Sequence, residues 1–163
     1  MENEMKVLIE LLTNKGKTIS TMESCTGGGV ANAITDIEGA SEVLKFGAVT
    51  YSNEYKIKMG VDTNVIDKYS VYSMETANEM SKKISLFTNS DYGVGITGKL
   101  NRVDSDNLIG LDNIVFISIY DSKNDKIYND RIEVILESRS ANKKIITNCI
   151  VKILNNILKD CRL

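Results

Sequence analysis

Apolar residues recur along this chain with two periods, and the switches between them mark its elements. Met5, Leu8, Leu11 and Leu12 repeat at helical spacing, which predicts an amphipathic helix over residues 2 to 14, ended by Asn14-Lys15-Gly16. The next run, Thr18-Ile19-Ser20-Thr21-Met22, alternates and predicts a strand over 17 to 23. A helix follows over 27 to 37 and stops near Glu38-Gly39, and Phe46 to Tyr51 reads as a second strand. A polar helical turn at Asn53 to Met59 and a short helix around 63 to 69 come next. Ala77, Met80, Ile84 and Phe87 share one face of a helix from about 74 to 88. Residues 91 to 97 predict a third strand, and Asn113 to Tyr120 a fourth, apolar on both faces and hence central. Ile127 to Glu137 reads as a fifth, joined to the fourth by the turn Asp121-Ser122-Lys123-Asn124-Asp125 as an antiparallel hairpin. Ile146, Ile150, Ile153, Leu154 and Ile157 line the buried face of a long last helix. The pattern predicts a single α/β layered domain over 1–163, with a mixed sheet of about five strands.

Composition narrows the function classes. With 42% hydrophobic and 26% charged residues, the 163-residue chain has the balance of a soluble globular protein. A net charge of −2 gives no electrostatic case for nucleic acid or an anionic membrane. No apolar run approaches the roughly 18 residues of a membrane span, and Met1-Glu2-Asn3-Glu4 does not resemble a signal peptide. Cys25, Cys149 and Cys161 are widely spaced and odd in number, so neither a disulfide framework nor a zinc site is expected, and a reducing cytoplasm is the simplest location. There is no histidine, so usual metal-ligand clusters are missing and neither metal nor cofactor is expected.

The chemistry concentrates at Glu23-Ser24-Cys25-Thr26-Gly27-Gly28-Gly29, between the first strand and the following helix. A helix N-terminus offers unpaired N–H groups and a positive dipole end, which suit an oxyanion. Without histidine, a hydroxyl nucleophile needs another activator, such as a lysine of depressed pKa, a carboxylate or a metal. Lys56 follows the second strand as Ser24 follows the first, and the carboxyl ends of strands are where open α/β sheets build sites. A Ser-Lys pair is one recognised arrangement, provided that the lysine is neutral. The plainer alternative makes Lys56 a solvated helix lysine and Ser24 a cap. Cys25 is a rival nucleophile or a small buried residue. Thr26 either caps the helix or contacts substrate. The glycine run lacks the endings of nucleoside-triphosphate and dinucleotide loops. Ser138-Arg139-Ser140, opening the last helix, is a second candidate, suited to a phosphate or to simple capping.

Thr21-Met22-Glu23-Ser24-Cys25-Thr26-Gly27-Gly28 resembles the T-x-E-S-C-T-G-G signature of the CinA C-terminal domain family. Ile34-Thr35-Asp36-Ile37 with Gly39-Ala40-Ser41, Val49 to Lys56, Gly60-Val61, Glu75-Thr76-Ala77, Gly95-Ile96-Thr97-Gly98 and Ser138-Arg139 resemble further family segments in the same order. The resemblance implies an α/β, three-layer α/β/α fold with a mixed, mostly parallel sheet. Members include bacterial nicotinamide mononucleotide deamidases, described as Ser/Lys amidohydrolases. Ser24 would then be the nucleophile, Lys56 its base, and Tyr51 and Arg139 supporting or substrate-contacting residues.

Two departures bear on specificity. Where the family has a glycine-rich loop after G-I-T-G, this chain has Lys99-Leu100-Asn101-Arg102-Val103-Asp104-Ser105-Asp106-Asn107, and Met74 stands where the family has Glu. The loop is expected beside Ser24, with Lys99 and Arg102 adding an anion contact or blocking the pocket. The expected activity is release of ammonia from the carboxamide of nicotinamide mononucleotide or a related small nucleotide-like substrate. Thr26, Gly27, Gly28, Gly98, Lys99, Arg102 and Arg139 are the expected substrate contacts, the N–H groups near Gly27-Gly28 holding the oxyanion. The alternative is a non-catalytic or regulatory ligand-binding protein on the same scaffold. Beyond the small molecule, the expected partner is a further copy of this chain.

Overall fold

A computed structural model describes residues 2–160; Cys161 lies outside them. The elements run α1 (Glu2–Asn14), β1 (Ile19–Glu23), α2 (Gly29–Thr35), α3 (Ala40–Val43), β2 (Leu44–Val49), α4 (Asn53–Lys58), α5 (Thr63–Tyr69), α6 (Met74–Thr88), β3 (Tyr92–Gly98), β4 (Ile114–Asp121), β5 (Lys126–Glu133) and α7 (Arg139–Asp160). The sheet order is β2-β1-β3-β4-β5. β1 pairs in parallel with β2 and β3, while β4 is antiparallel to both β3 and β5, so only β4 runs against the rest. The mixed, mostly parallel sheet of the sequence reading is present.

Alternation along the strands divides the helices between the two faces. Ile19, Val94, Ile96, Val115, Ile117 and Ile119 join the larger core with α1, α2, α3 and α7. Met22 and Ala48 join a smaller core with Met80 and Ile84 of α6. Burying these apolar faces supplies most of the drive to fold. On the α6 side, β3 presents Gly93 and Gly95, because the helix backbone lies directly against it. A methyl group on Gly95 would meet the Ala77 carbonyl oxygen at 2.3 Å, and one on Gly93 the Ser81 carbonyl oxygen at 2.0 Å. In that tight layer Ser81 Oγ donates to the Asn78 carbonyl at 3.0 Å and accepts from Ser118 Oγ at 2.8 Å.

The structure corrects several boundaries. α2 begins at Gly29 rather than 27, since Gly27 and Gly28 have φ of 63° and 88°, outside a right-handed helix. A further short helix, α3, fills 40–43, and β2 therefore begins at Leu44. β4 is an interior strand, as its two apolar faces require, but the middle of the sheet is β3. β5 ends at Glu133, short of residue 137, and lies at an edge.

Because α6 cannot retreat from a sheet it touches through backbone, Gly95→Ala is expected to lower unfolding stability by about 2 kcal/mol or more. Urea unfolding of the two proteins checks it; an unchanged midpoint would mean that α6 shifts freely.

Candidate active site

The sheet delivers two chain segments to one point. Beyond β1, the Ser24 N–H donates to the Ile96 carbonyl at 3.0 Å, and the Thr50 N–H donates to the Glu23 carbonyl at 2.8 Å. Sheet hydrogen bonding thus continues past the strand ends and fixes Ser24 beside Thr50. The chain then turns sharply, with the Gly27 N–H donating to the Ser24 carbonyl at 3.0 Å and the Gly29 N–H to the Thr26 carbonyl at 3.2 Å.

Glu23, fully buried, turns its carboxylate onto the start of α2. It accepts the N–H groups of Val30 at 3.1 Å and Ala31 at 2.9 Å, and the Thr21 hydroxyl at 3.2 Å. This carboxylate satisfies orphan donors and suits the helix dipole. It also occupies part of the helix end expected to receive an oxyanion. The Gly27 N–H is likewise spent on the turn, whereas the Gly28 N–H meets no acceptor among the described residues.

Lys56 comes from α4, whose first turn is capped by Ser52 Oγ accepting from the Tyr55 N–H at 3.4 Å. The helix points Lys56 inward, leaving it 1% exposed. Its Nζ donates to the Thr50 carbonyl at 2.7 Å and lies 3.1 Å from Ser24 Oγ. Burial lowers its pKa to about 8, against weaker opposing effects of Cys25 and Asp104. The solvated-lysine alternative is therefore excluded. Cys25 is buried too, and burial pushes its thiol up to about 12, so it carries no thiolate at neutral pH.

A cleft of about 510 Å³ opens over Ser24, with Tyr51, Tyr72, Arg102, Asp104 and Arg139 on its walls. Tyr51 is 64% exposed, and its hydroxyl accepts from Arg139 Nη2 at 3.3 Å, so both sit on the rim rather than against Lys56. Gly98 touches β4, where a methyl would meet the Ile114 carbonyl oxygen at 2.4 Å; its demand is one of packing. Thr26 is buried, its hydroxyl unpartnered among the described residues.

The 99–107 loop does lie beside Ser24, and both its cations, Lys99 and Arg102, line the cleft. Lys99 is buried, donates to Asp112 Oδ1 at 2.9 Å and lies over the Tyr72 ring. Arg102 is exposed. Asp104 lines the cleft as well, accepting the Tyr72 hydroxyl, the Asn107 side-chain amide at 3.1 Å and the Asp106 N–H at 3.0 Å. The Tyr72 hydrogen bond is the main reason that its carboxyl titrates below the usual range. Sequence reasoning missed Tyr72 and Asp104, since neither belongs to a periodic pattern.

It also missed Lys143. A second groove of about 560 Å³ runs between α2 and α7, bordered by Asn32, Asp36, Arg139, Lys143 and Lys144. Lys143 Nζ lies 3.2 Å from where a methyl on Gly27 would be, so a cation stands against the turn that carries Ser24. Arg139 borders both hollows. Among the described residues, no group of three or more Asp, Glu or Cys side chains could hold a metal ion, and no helix is long and apolar enough to cross a membrane.

Residues 1–155 match the family model of the CinA C-terminal domain. The chain belongs to that family. A CinA-like protein of Kosmotoga olearia is 43% identical over 98 residues, 60% of this chain. The chain spans about a quarter of the length of such curated relatives, 24% in that case. Among solved structures, the competence/damage inducible protein CihA of Agrobacterium tumefaciens superposes with a TM-score of 0.85 at 26% identity, covering 97% of this chain and 94% of that one. A competence damage-inducible protein A of Klebsiella pneumoniae reaches 0.89 at 19% identity, covering 99% and 98%. At that identity the likeness concerns the fold alone.

The buried amine has a stability consequence. Its folded pKa of about 8 lies below the ordinary 10.5, so between these values only the unfolded chain holds the proton. Stability therefore rises with pH across this window, and below it the full cost of burying the charge is present. Lys56→Met should remove that slope and raise stability at pH 7 by up to about 3 kcal/mol. Denaturant melts from pH 7 to 10.5 test it; parallel curves for the two proteins would contradict a depressed lysine.

Proposed function

We propose that this CinA-family chain is a Ser/Lys amidohydrolase that releases ammonia from the carboxamide of a small nucleotide-like substrate, with nicotinamide mononucleotide the leading candidate. The observation that carries the reading is the buried Lys56 amine, 3.1 Å from Ser24 Oγ and titrating near 8. A neutral amine that gives one N–H to the Thr50 carbonyl keeps its lone pair for the serine hydroxyl.

In the first half-reaction Ser24 Oγ attacks the carboxamide carbon while Lys56 takes the hydroxyl proton. The tetrahedral intermediate places negative charge on the former carbonyl oxygen, and the Gly28 N–H is a free donor on the adjoining turn. Collapse breaks the C–N bond, with the Lys56 ammonium returning its proton to the leaving nitrogen, so that ammonia departs and an ester to Ser24 remains. Water then attacks that ester, Lys56 again removing a proton, and the carboxylic acid leaves as Ser24 regains its hydrogen. Both half-reactions balance without a metal or cofactor. Arg139, which borders both hollows, and Lys143 beside the glycine turn suit the phosphate of a mononucleotide.

Ammonia release from nicotinamide mononucleotide is the direct test. Ser24→Ala and Lys56→Met should each reduce it by at least ~10³-fold with the fold intact, while Cys25→Ser keeps most of it. A dependence on Cys25 rather than Ser24 would overturn the assignment. The acid limb of kcat/KM should rise through an apparent pKa near 8, the value for Lys56. No ammonia from this or related carboxamides, with binding retained, would make the chain a ligand-binding member of its family.

A further inference from the structure

Beside the mouth of the cleft the chain leaves large apolar side chains in solvent. Val103, Leu108, Ile109 and Leu111, between β3 and β4, are 62% to 71% exposed, and Ile135 and Leu136, between β5 and α7, are 74% and 40% exposed. The two stretches adjoin. The Arg102 N–H donates to the Asp112 carbonyl at 3.1 Å, the Val134 N–H to the Asn113 carbonyl at 2.8 Å, and the Asn101 side-chain amide to the Leu136 carbonyl at 3.5 Å. The backbone beneath them is anchored. Asn142, fully buried, accepts from the Leu136 N–H at 3.3 Å and donates to its carbonyl at 2.8 Å, while Leu100 and Val134 belong to the larger core. The apolar side chains thus face water on a fixed frame. A contiguous apolar patch beyond a few hundred Å² is unusual on a monomer and marks an interaction surface.

The charges on this face point to what covers it. A hollow of about 550 Å³ is lined by Asn101, Arg102, Val103 and Glu137. Arg102 and Glu137 are both exposed, and neither is in an ion pair among the described residues. Opposite charges on one surface are the condition for self-complementarity. A copy turned about a two-fold axis sets its Glu137 against Arg102 and its Arg102 against Glu137. The same mixture of signs gives no single-sign field of the kind a membrane surface or nucleic acid requires. From this we propose that the face formed by residues 101–111 and 135–137 is a two-fold interface between two copies of this chain, its apolar side chains packed together and its Arg102 and Glu137 paired across the axis. Six large apolar side chains at these exposures supply the larger part of the roughly 800 Å² per partner that a stable interface buries. Arg102 and Val103 also line the cleft over Ser24, so the second copy stands at the cleft mouth and narrows it.

The interface does not rest on the amidohydrolase reading, and assembly tests it. In sedimentation velocity over micromolar concentrations the wild-type chain should form a dimer. Ile109→Glu puts a charge into the apolar face at an exposed site, leaves the circular dichroism spectrum unchanged, and should weaken dimerisation at least ~10-fold. Arg102→Glu and Glu137→Arg each bring like charges face to face and should weaken it as well. The double reversal R102E/E137R restores opposite pairing and should return the affinity to within about threefold of wild type. A chain that stays monomeric would overturn the proposal, these side chains then meeting another partner or closing over their own cleft. A dimer untouched by Ile109→Glu would do so by placing the contact elsewhere. So would a double reversal no better than either single change, since the two-fold pairing would then be wrong. Dimerisation without ammonia release leaves this interface standing and removes the hydrolase reading; release by a monomer does the reverse.

Discussion

Everything at the site depends on holding a primary amine, its pKa lowered to about 8, in a place from which water is largely excluded. Lys56 is among the largest fully buried side chains of the protein. Its amine meets a main-chain carbonyl and a serine hydroxyl, with no acidic partner among the described residues. A carboxylate there would have stabilised the ammonium and raised its pKa, leaving no base. Burial has the opposite effect, and the fold carries the cost in stability that such groups impose at functional sites. The cost is met because both neighbours are fixed by the sheet: Ser24 and Thr50 are the first residues past β1 and β2, still hydrogen-bonded to the strands beside them.

Glu23 shows how closely the nucleophile turn is built. A buried carboxylate one residue before Ser24 would, if unpaired, raise the pKa of its surroundings and destabilise the core. It instead spans the turn and caps α2, so that strand end, glycine turn and helix start form one hydrogen-bonded unit. The two left-handed glycines allow the chain to reverse tightly enough for that carboxylate to reach. The consequence for ligands is that the Val30 and Ala31 N–H groups of α2 are taken, leaving the Gly28 N–H as the free donor there. The cations nearest the turn are side chains of α7, where Arg139 and Lys143 border the adjoining groove.

The parts of the molecule legible in sequence are those that obey a period or a fixed local rule. The α1, α6 and α7 stripes, the hairpin of β4 and β5, and the placement of Ser24 and Lys56 past parallel strands all follow from such rules. The start of α2 was not legible, because glycines that open a helix and glycines that precede one look alike until φ is known. α3 was missed because four residues are too few for a period to emerge. In the site, the expected roles of Lys99 and Gly98 followed from residue type. Type alone does not tell that Lys99 would be consumed by Asp112, or that Gly98 answers to β4. Asp104 and Tyr72 lie far apart in sequence and meet only through the path of the loop.

That loop is the part of the cleft free to differ in sequence while the turn bearing Ser24 is held by the sheet. Ser24 is held at the end of β1 and Lys56 by α4, and Asp104 of the covering loop favours the charged form of the Lys56 amine. The covering wall is a connection between β3 and β4 whose ends are pinned, at Gly98 by backbone packing and at Asn113 by the Val134 N–H donating to its carbonyl at 2.8 Å. Between those pins the composition is free to vary without disturbing the strands. A glycine-rich wall offers only main-chain dipoles; this one offers side chains, with Lys99, Arg102 and Asp104 among those lining the cleft. Charges of both signs therefore stand over the Ser24–Lys56 pair, carried by a segment that the strands below do not constrain.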